Sequence, residues 1–502
     1  MSNREIELKF TVGDAGARAL ADALKLAKTK AKTLTAIYYD SAGRDLRKAG
    51  FALRVRQKGK AFIQTIKGPG DAADGGGFAR GEWESAAKGF AIDRQALAQT
   101  PAAAVINGSL VAPAFAIRVL RRTREVDEGG SRIEISLDEG EAEAEGRHSP
   151  IRELELELVR GEVADLFILA RRLAKVAPLT LGFTSKADRG FSLADGEGAR
   201  HERPDGLKSS QSAGEAFRAI AHAALAQAGL AGEVLAARDD AEAVHRLRVG
   251  LRRLRSAMSS FRAASADGRR DGVKAELKWL SGVMDRARDL DVFIAETFET
   301  GRAALDPDAQ AALLARLQSA RAKAYAAARE ALASERYRTL LLETAAWLEA
   351  GPWLRGSGSP DRDRPVGAFA AQLMDRRLKK ILKRGADLRT LTPPDRHKLR
   401  IAVKKLRYDA DAFAGLYGHR KRARRFIDAV RGLQEALGTL NDLAAGGLLA
   451  ASLVRSGSRA GQNEAAFAAG EIVGAAGVRE PDLLDAAEDA YDALEDADPF
   501  WR

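Results

Sequence analysis

The chain reads as two folds in series. An α+β N-terminal unit carries eight antiparallel strands closing into a small barrel with flanking helices, and an all-α duplicated helical-bundle domain follows it. Three observations predict this. Up to about residue 160 apolar and polar residues alternate, broken by short glycine-bearing turns, which is the period of half-buried strands. From about residue 213 the texture changes to Ala, Leu and Arg at helical spacing with hardly a β-branched run. Within that second half an eleven-residue segment occurs twice, which marks an internal duplication.

The strands fall at 3–12, 34–40, 51–57, 60–67, 78–85, 115–126, 131–138 and 150–159, with helices at 14–27 and 162–175. Eight strands are enough to close a barrel and so remove exposed edges. Residues 194–212, polar and bearing Gly, Pro and Ser, read as a connector. The expected units are therefore 1–195, a linker at 196–212, and 213–498 with repeats over about 213–350 and 367–498. The segment His245–Arg255, HRLRVGLRRLR, recurs as His397–Arg407, HKLRIAVKKLR, and Arg288-Asp289-Leu290 recurs as Asn441-Asp442-Leu443. The stretch at 351–367 has the composition of a loop between the repeats.

Composition excludes several functions. The 502 residues contain no cysteine, hence no disulfide, thiolate metal site or cysteine nucleophile. Charges at Arg4, Glu5, Glu7 and Lys9 interrupt what a signal peptide would need as an apolar core, and no run of about 18 uninterrupted apolar residues occurs, so a cytoplasmic protein without a membrane partner is expected. The net charge of +11 is uneven, with 47 basic against 33 acidic residues over 201–478. That local excess suits a polyanionic partner.

Side-chain parity gives nearly every strand an ionic face. Glu5, Glu7 and Lys9 oppose Ile6, Leu8 and Phe10; Arg54 and Arg56 oppose Leu53 and Val55; Thr65 and Lys67 oppose Ile66; Arg80, Glu82 and Glu84 oppose Trp83. Arg118 opposes Ile117 and Val119, Asp138 opposes Leu137, and Glu153, Glu155 and Glu157 oppose Leu154, Leu156 and Leu158. A row of charged faces is the ordinary pattern of a sheet half in water. Carboxylates repeated on one face nevertheless repel unless something compensates them, and a divalent cation together with a polyanion gripped by the Arg and Lys groups would do so.

These residues resemble the CYTH domains, or triphosphate tunnel metalloenzymes. Glu5-Ile6-Glu7-Leu8-Lys9 is similar to their ExExK signature, and Tyr38-Tyr39-Asp40, Leu53–Arg56, Thr65–Lys67, Arg80–Glu84, Ile133–Asp138, Glu153–Glu157 and Ser185-Lys186 follow in the family's order. The resemblance spans about 1–195 and implies an eight-stranded tunnel with charged faces inward. It implies that triphosphates are processed with Mg²⁺ or Mn²⁺. By position it implies metal binding by Glu5, Glu7, Asp138, Glu153 and Glu155, and phosphate binding by Lys9, Arg54, Arg56, Lys67, Arg118 and Lys186. Catalytic roles would fall to Lys9 and to Glu82 and Glu84, which orient water or a second metal.

In the helical half, His245, Arg248, Arg252 and Arg255 share one stripe of a helix, and His397, Arg400, Lys404 and Arg407 repeat it; Arg253 and Lys405 add adjacent cations. The histidines lack an i,i+4 partner of the zinc-binding kind, and aromatics are not interleaved as single-stranded nucleic acid binders require, so no nucleic acid is expected. This half resembles the CHAD domain, which implies binding of inorganic polyphosphate. The reading is a metal-dependent inorganic triphosphatase, hydrolysing tripolyphosphate to pyrophosphate and phosphate, with a polyphosphate-binding helical domain. The rivals are an adenylyl cyclase or other enzyme acting on nucleoside or organic triphosphates, and a non-catalytic polyphosphate scaffold. Sequence leaves the oligomeric state open.

Overall fold

Ten strands, all paired antiparallel, form the N-terminal half of this computed structural model, which describes residues 5–68, 79–196, 206–355, 359–456 and 461–502. They are β1 (Glu5–Thr11), β2 (Lys32–Ser41), β3 (Ala52–Lys58), β4 (Ala61–Lys67), β5 (Ala79–Arg80), β6 (Glu82–Ala87), β7 (Val111–Glu128), β8 (Ser131–Ala144), β9 (Arg147–Arg160) and β10 (Thr180–Leu181). The order across the sheet is β10-β1-β9-β8-β7-β2-β3-β4-β6. The expected antiparallel wall is present with three differences, the simplest being that the short β10, paired with β1, was not expected. The single strand expected at 78–85 breaks at Gly81: Ala79 and Arg80 pair with β1, whereas Glu82–Ala87 pair with β4. The chain thus bridges the two edges, but the wall is not closed by a continuous hydrogen-bonded ladder. Strands β7 to β9 also outrun their expected ends: β8 continues to Ala144, with Ala142 and Ala144 buried between the exposed Glu141 and Glu143, an alternation carried by residues as small as alanine.

The apolar faces of β1, β8 and β9 bury Leu8, Phe10, Ile133, Ile135, Leu154 and Leu156 against α1 (Asp14–Ala23) and α5 (Val163–Ala174). Tyr39, Leu53, Val55 and Ile66 pack under α2 (Asp45–Lys48), α3 (Arg94–Ala98) and α4 (Ala102–Ile106). Helix α1 stops short of the expected residue 27 because Lys25 turns into the left-handed region at φ 52°. A further helix, α6 (Lys186–Asp195), was not expected and lies across the inner face of β7 to β9.

The helical half begins with α7 (Ala213–Ala237), α8 (Ala241–Ser260), α9 (Arg270–Val292), α10 (Pro307–Ala333) and α11 (Glu335–Ala350). It continues with α12 (Val366–Gly385), α13 (Pro393–Phe413), α14 (Arg420–Ser456), α15 (Gln462–Gly477) and α16 (Glu480–Glu495). The sequence repeat has a structural counterpart. Ser212 and Pro365, just ahead of α7 and α12, pair as an antiparallel bridge. Asp240 and Thr392 cap α8 and α13 by accepting the backbone N–H three residues on, at 2.8 and 3.3 Å. Acidic α16 packs on α14, and its residues pair with Arg389 and Arg396. It is a cap on the second repeat. Helix α7 and the span Arg420–Arg455 are each long and apolar enough to cross a membrane by length and composition, and here both pack into the bundle. Of the residues expected to link the halves, 197–205 lie outside the described residues, as do 356–358 of the loop between the repeats.

Candidate active site and basic groove

Inside the sheet is a cavity of about 220 Å³ lined by Lys9, Arg54, Arg56, Lys67, Arg121 and Lys186, together with Glu7, Glu155, Glu157, Tyr38, Ser185 and, from the helical half, Ala226. Register explains the convergence. Lys9 lies opposite Glu155 and Glu7 opposite Glu157, Tyr38 lies opposite Arg54, and Thr65 and Lys67 oppose Glu84 and Glu82, so each pair points to one side of the wall. Two carboxylates of β6 face three of these cations at longer range. Arg54 and Lys67 lie 3.8 and 3.7 Å from Glu82, and Arg56 lies 3.8 Å from Glu84, beyond hydrogen-bond length. The Nε atoms of Arg54 and Arg56 are buried without an acceptor. Burial, then Arg54 and Arg121, hold the Arg56 pKa below its ordinary value, the mark of crowded positive charge.

Asp138, Glu153 and Glu155 come together as expected, but around an ammonium. Lys186 Nζ sits 2.9, 2.7 and 2.6 Å from them, and Arg121 adds contacts of 2.6 Å to Asp138 and 2.5 Å to Glu155. Asp138 and Glu153 are 0% exposed. Burial opposes the charge of Lys186, yet Glu155, Glu153 and Asp138 outweigh it and raise its pKa well above the ordinary value. Burial likewise opposes Glu155, and Lys186, Arg121 and Lys9 outweigh it and hold its pKa well down. Among the described residues no group of three or more His, Asp or Glu is arranged to hold a metal ion. The side chain of Glu5, on the same face as Glu7 by parity, lies outside the described residues.

Arg118 is not in the tunnel; its side chain is exposed on the outer face, and Arg121 occupies the inner one. Parity failed here because α6 makes the inner face apolar. Phe115, Ile117 and Val119 point inward onto Phe191 of α6, with Phe115 and Phe191 rings edge to face at 4.8 Å. A Cβ on Gly190 would fall 2.0 Å from the Phe115 ring, so glycine permits this approach. Ser185 and Asp188 form a capping box at the start of α6, which aims Lys186 at the carboxylates, and Asp195 at its end binds Arg44, just ahead of α2, and Arg47 within it at 2.8 and 2.5 Å. The S-x-x-D spacing ahead of an apolar stretch was a visible signal for this helix.

In the helical half the two basic stripes meet. Lys404 feels Arg400 of its own helix and Arg252 and Arg248 of α8, and burial together with those cations pushes its pKa down to about 7. Arg248 pairs with Asp285 at 2.8 Å, and Arg400 approaches Asp442 at 3.7 Å. His397 Nδ1 is 2.7 Å from Asn441, while His245 lies near Arg288, at the matching position of the first repeat. Arg255 and Arg407 reach Ser281 and Gln434 at 3.5 and 2.7 Å. Arg253 and Lys405 point elsewhere: Arg253 donates to Gln227 of α7 at 2.9 Å, and Lys405 lies among Arg377, Lys380 and Lys274. One residue beyond the stripe is a turn of about 100° round the helix, which carries both out of the groove.

Fold and site together define a class of chain: a sheet-lined cavity crowded with charged side chains, in series with a duplicated, basic helical bundle. Comparison with known families gives the particular one. Residues 3–191 match the CYTH domain and residues 219–450 match the CHAD domain. The chain thus carries a CYTH domain followed by a CHAD domain. It is 30% identical over 165 residues to an inorganic triphosphatase of Haemophilus influenzae, an alignment covering 31% of this chain and 44% of that relative's length. It resembles the crystal structure of the CHAD domain from the plant Ricinus communis with a TM-score of 0.52 and 30% identity, over 59% of this chain and 97% of the other. It is more distantly similar to PptA from Streptomyces chartreusis, with a TM-score of 0.41 and 18% identity over 57% of this chain and 99% of the other.

Proposed function

We propose that the tunnel is a metal-dependent inorganic triphosphatase that hydrolyses tripolyphosphate to pyrophosphate and phosphate, and that the helical half, taken as 213–498 with repeats over 213–350 and 367–498, binds inorganic polyphosphate. The observation that carries the first part is the pair of buried Arg54 and Arg56 Nε donors without acceptors, in a cavity lined by six cations. Buried donors are costly unless paired, and a phosphate chain offers acceptors on every side. In this reading Arg54, Arg56, Lys67, Lys9 and Arg121 bind phosphate oxygens. Lys186 stabilises charge on them from among its carboxylates. Glu82 holds Arg54 and Lys67 in place, and Glu84, at a half-exposed rim, orients the attacking water. The water oxygen bonds to the terminal phosphorus, the bridging P–O bond breaks, pyrophosphate leaves with the electron pair, and the water proton passes to a carboxylate or solvent.

The residues that fit a hard divalent cation are Glu7 and Glu157, opposed across β1 and β9 and lining the cavity, with Glu5 on the same face. Mg²⁺ and similar ions are commonly held by one or two carboxylates plus substrate phosphates, which this pair satisfies, whereas Asp138, Glu153 and Glu155 are already compensated by Lys186 and Arg121. Bound there, Mg²⁺ or Mn²⁺ supplies charge neutralisation at the phosphoryl group. The test is product analysis with tripolyphosphate, ATP and long-chain polyphosphate, each with Mg²⁺ or Mn²⁺, for wild type and Glu7→Gln. Release of pyrophosphate and phosphate from tripolyphosphate, lost in Glu7→Gln, is expected. Preference for ATP, or undiminished turnover in the variant, refutes the assignment.

A further inference from the structure

The tunnel is not built by the N-terminal half alone. Ala226 of α7 lines the cavity beside Phe183 and Lys186. One turn on, a Cβ at Gly229 would lie 2.0 Å from the Phe183 ring, so the ring and the helix backbone meet at a distance that only glycine allows. One turn further, Glu233 Oε1 accepts the backbone N–H of Phe183 at 2.8 Å and that of Thr184 at 3.4 Å, while its Oε2 accepts the Thr184 hydroxyl. These three residues stand at i, i+3 and i+7, a single face of α7. What they hold is the lead-in to α6. Ser185 caps that helix, and its first residue is Lys186, whose ammonium sits among the tunnel carboxylates.

We propose that Glu233 of the helical half is a positioning residue for the tunnel reaction: by tying down Phe183 and Thr184 it fixes the Lys186 ammonium among Asp138, Glu153 and Glu155, so the helical half governs turnover in the tunnel. The inference rests on the triphosphatase reading. The chemistry is direct. A carboxylate taking three donors makes charge-assisted bonds, and its removal leaves two part-buried N–H groups unpaired. The segment then loses its anchor at the residue next to Ser185. Catalytic groups tolerate little displacement, since a shift of about 1 Å can cost about 100-fold in rate.

The experiment uses the full chain with Glu233→Ala, Glu233→Gln, Lys186→Met and the Glu233→Ala/Lys186→Met double variant, with tripolyphosphate and Mg²⁺ as substrate. Amide exchange is read by mass spectrometry over 183–190, with α9 as the internal control. Glu233→Ala is expected to raise exchange over 183–190 about tenfold with α9 unchanged, and to lower kcat/KM about 10- to 100-fold, mainly in kcat. Glu233→Gln, which keeps an acceptor for the two amides, should restore most of both. In the Lys186→Met background, Glu233→Ala should change kcat/KM less than about twofold, because both act through one group. Unchanged exchange over 183–190, raised exchange with unchanged kcat/KM, or fully multiplicative losses would each overturn the proposal. A wild-type protein without turnover would refute the triphosphatase reading alone. The Glu233 inference is then decided by tripolyphosphate affinity, with an expected loss of about tenfold in Glu233→Ala and none if it is wrong.

Discussion

Replacing Lys186 by Met removes one charge and leaves three carboxylates facing each other. The structure sets the size of the effect: the ammonium is 2.6 to 2.9 Å from all three, and two of them are 0% exposed. Deleting one partner of a buried ionic cluster costs about 3 to 5 kcal/mol, and here the carboxylates are left buried with only Arg121 and Arg189 to offset their mutual repulsion. For a unit of this size that is a fall of about 6 to 20 °C in the unfolding midpoint of the N-terminal half. The pH dependence follows from the two shifts. The depressed Glu155 contributes stability that is present above its unfolded pKa and lost as pH falls through its folded value; the raised Lys186 contributes stability present below its unfolded pKa and lost as pH rises through its folded value. The gap between wild type and Lys186→Met should therefore be widest between the ordinary carboxylate and lysine ranges, about pH 5 to about pH 10, and narrow as pH falls below the ordinary carboxylate range toward the depressed Glu155 value. Scanning calorimetry at pH 7 and pH 3 reads this. Mg²⁺ should raise the midpoint of Lys186→Met more than that of wild type, by replacing the lost charge. A fall of less than about 2 °C at pH 7 would show that the ammonium does not hold these carboxylates, and the site geometry would be wrong.

Arg121→Ala should lower kcat/KM for tripolyphosphate about 100-fold, whereas Arg118→Ala, on the outer face, should leave it within about twofold; equal losses would mean that the β7 register is misread. Glu349 of α11 lies 2.7 Å from His222 Nε2 and 2.5 Å from Arg218, and although burial opposes its charge these partners push its pKa down to about 2. Its stabilisation, about 3 kcal/mol from the shift, is present above the ordinary carboxylate range and lost as pH falls toward 2. Glu349→Gln should thus be destabilised at pH 7 but match wild type near pH 2, and a gap independent of pH would count against it. Lys404, pushed down to about 7 by burial and by Arg400, Arg252 and Arg248, should regain a proton when polyphosphate binds. Affinity would then weaken up to about tenfold per pH unit above 7. Calorimetry in buffers of different ionisation heat should show proton uptake that disappears in Lys404→Met; its persistence would assign the proton elsewhere.

Much of this was legible in the order of residues. The duplication survives as matched helix starts, matched caps and matched stripe partners, because a repeat copies every local signal at once. Parity placed Glu7, Lys9, Arg54, Arg56, Lys67 and Glu155 on the cavity, since their strands put one face on covering helices and leave the other to the interior. Arg118 was misplaced and Arg121 missed. In β7 the inner face is apolar under α6 and the outer face carries charge to water, so polarity no longer distinguishes inside from outside.

By itself, then, the sequence determined the two halves, the strand and helix periods, the repeat and most of the charged tunnel face, because each depends on side chains a few residues apart along one element. Only the tertiary structure decided that Lys186 sits at the centre of the carboxylates proposed for metal, that Arg253 and Lys405 turn out of the groove, and that α7 supplies a wall and an anchor to the tunnel. Those facts depend on which surfaces meet after α6 folds back across the sheet and the helical half docks on the segment before it. Contacts between residues as far apart as Thr184 and Glu233, or Arg121 and Glu155, are set by packing of whole elements and leave no local period to read.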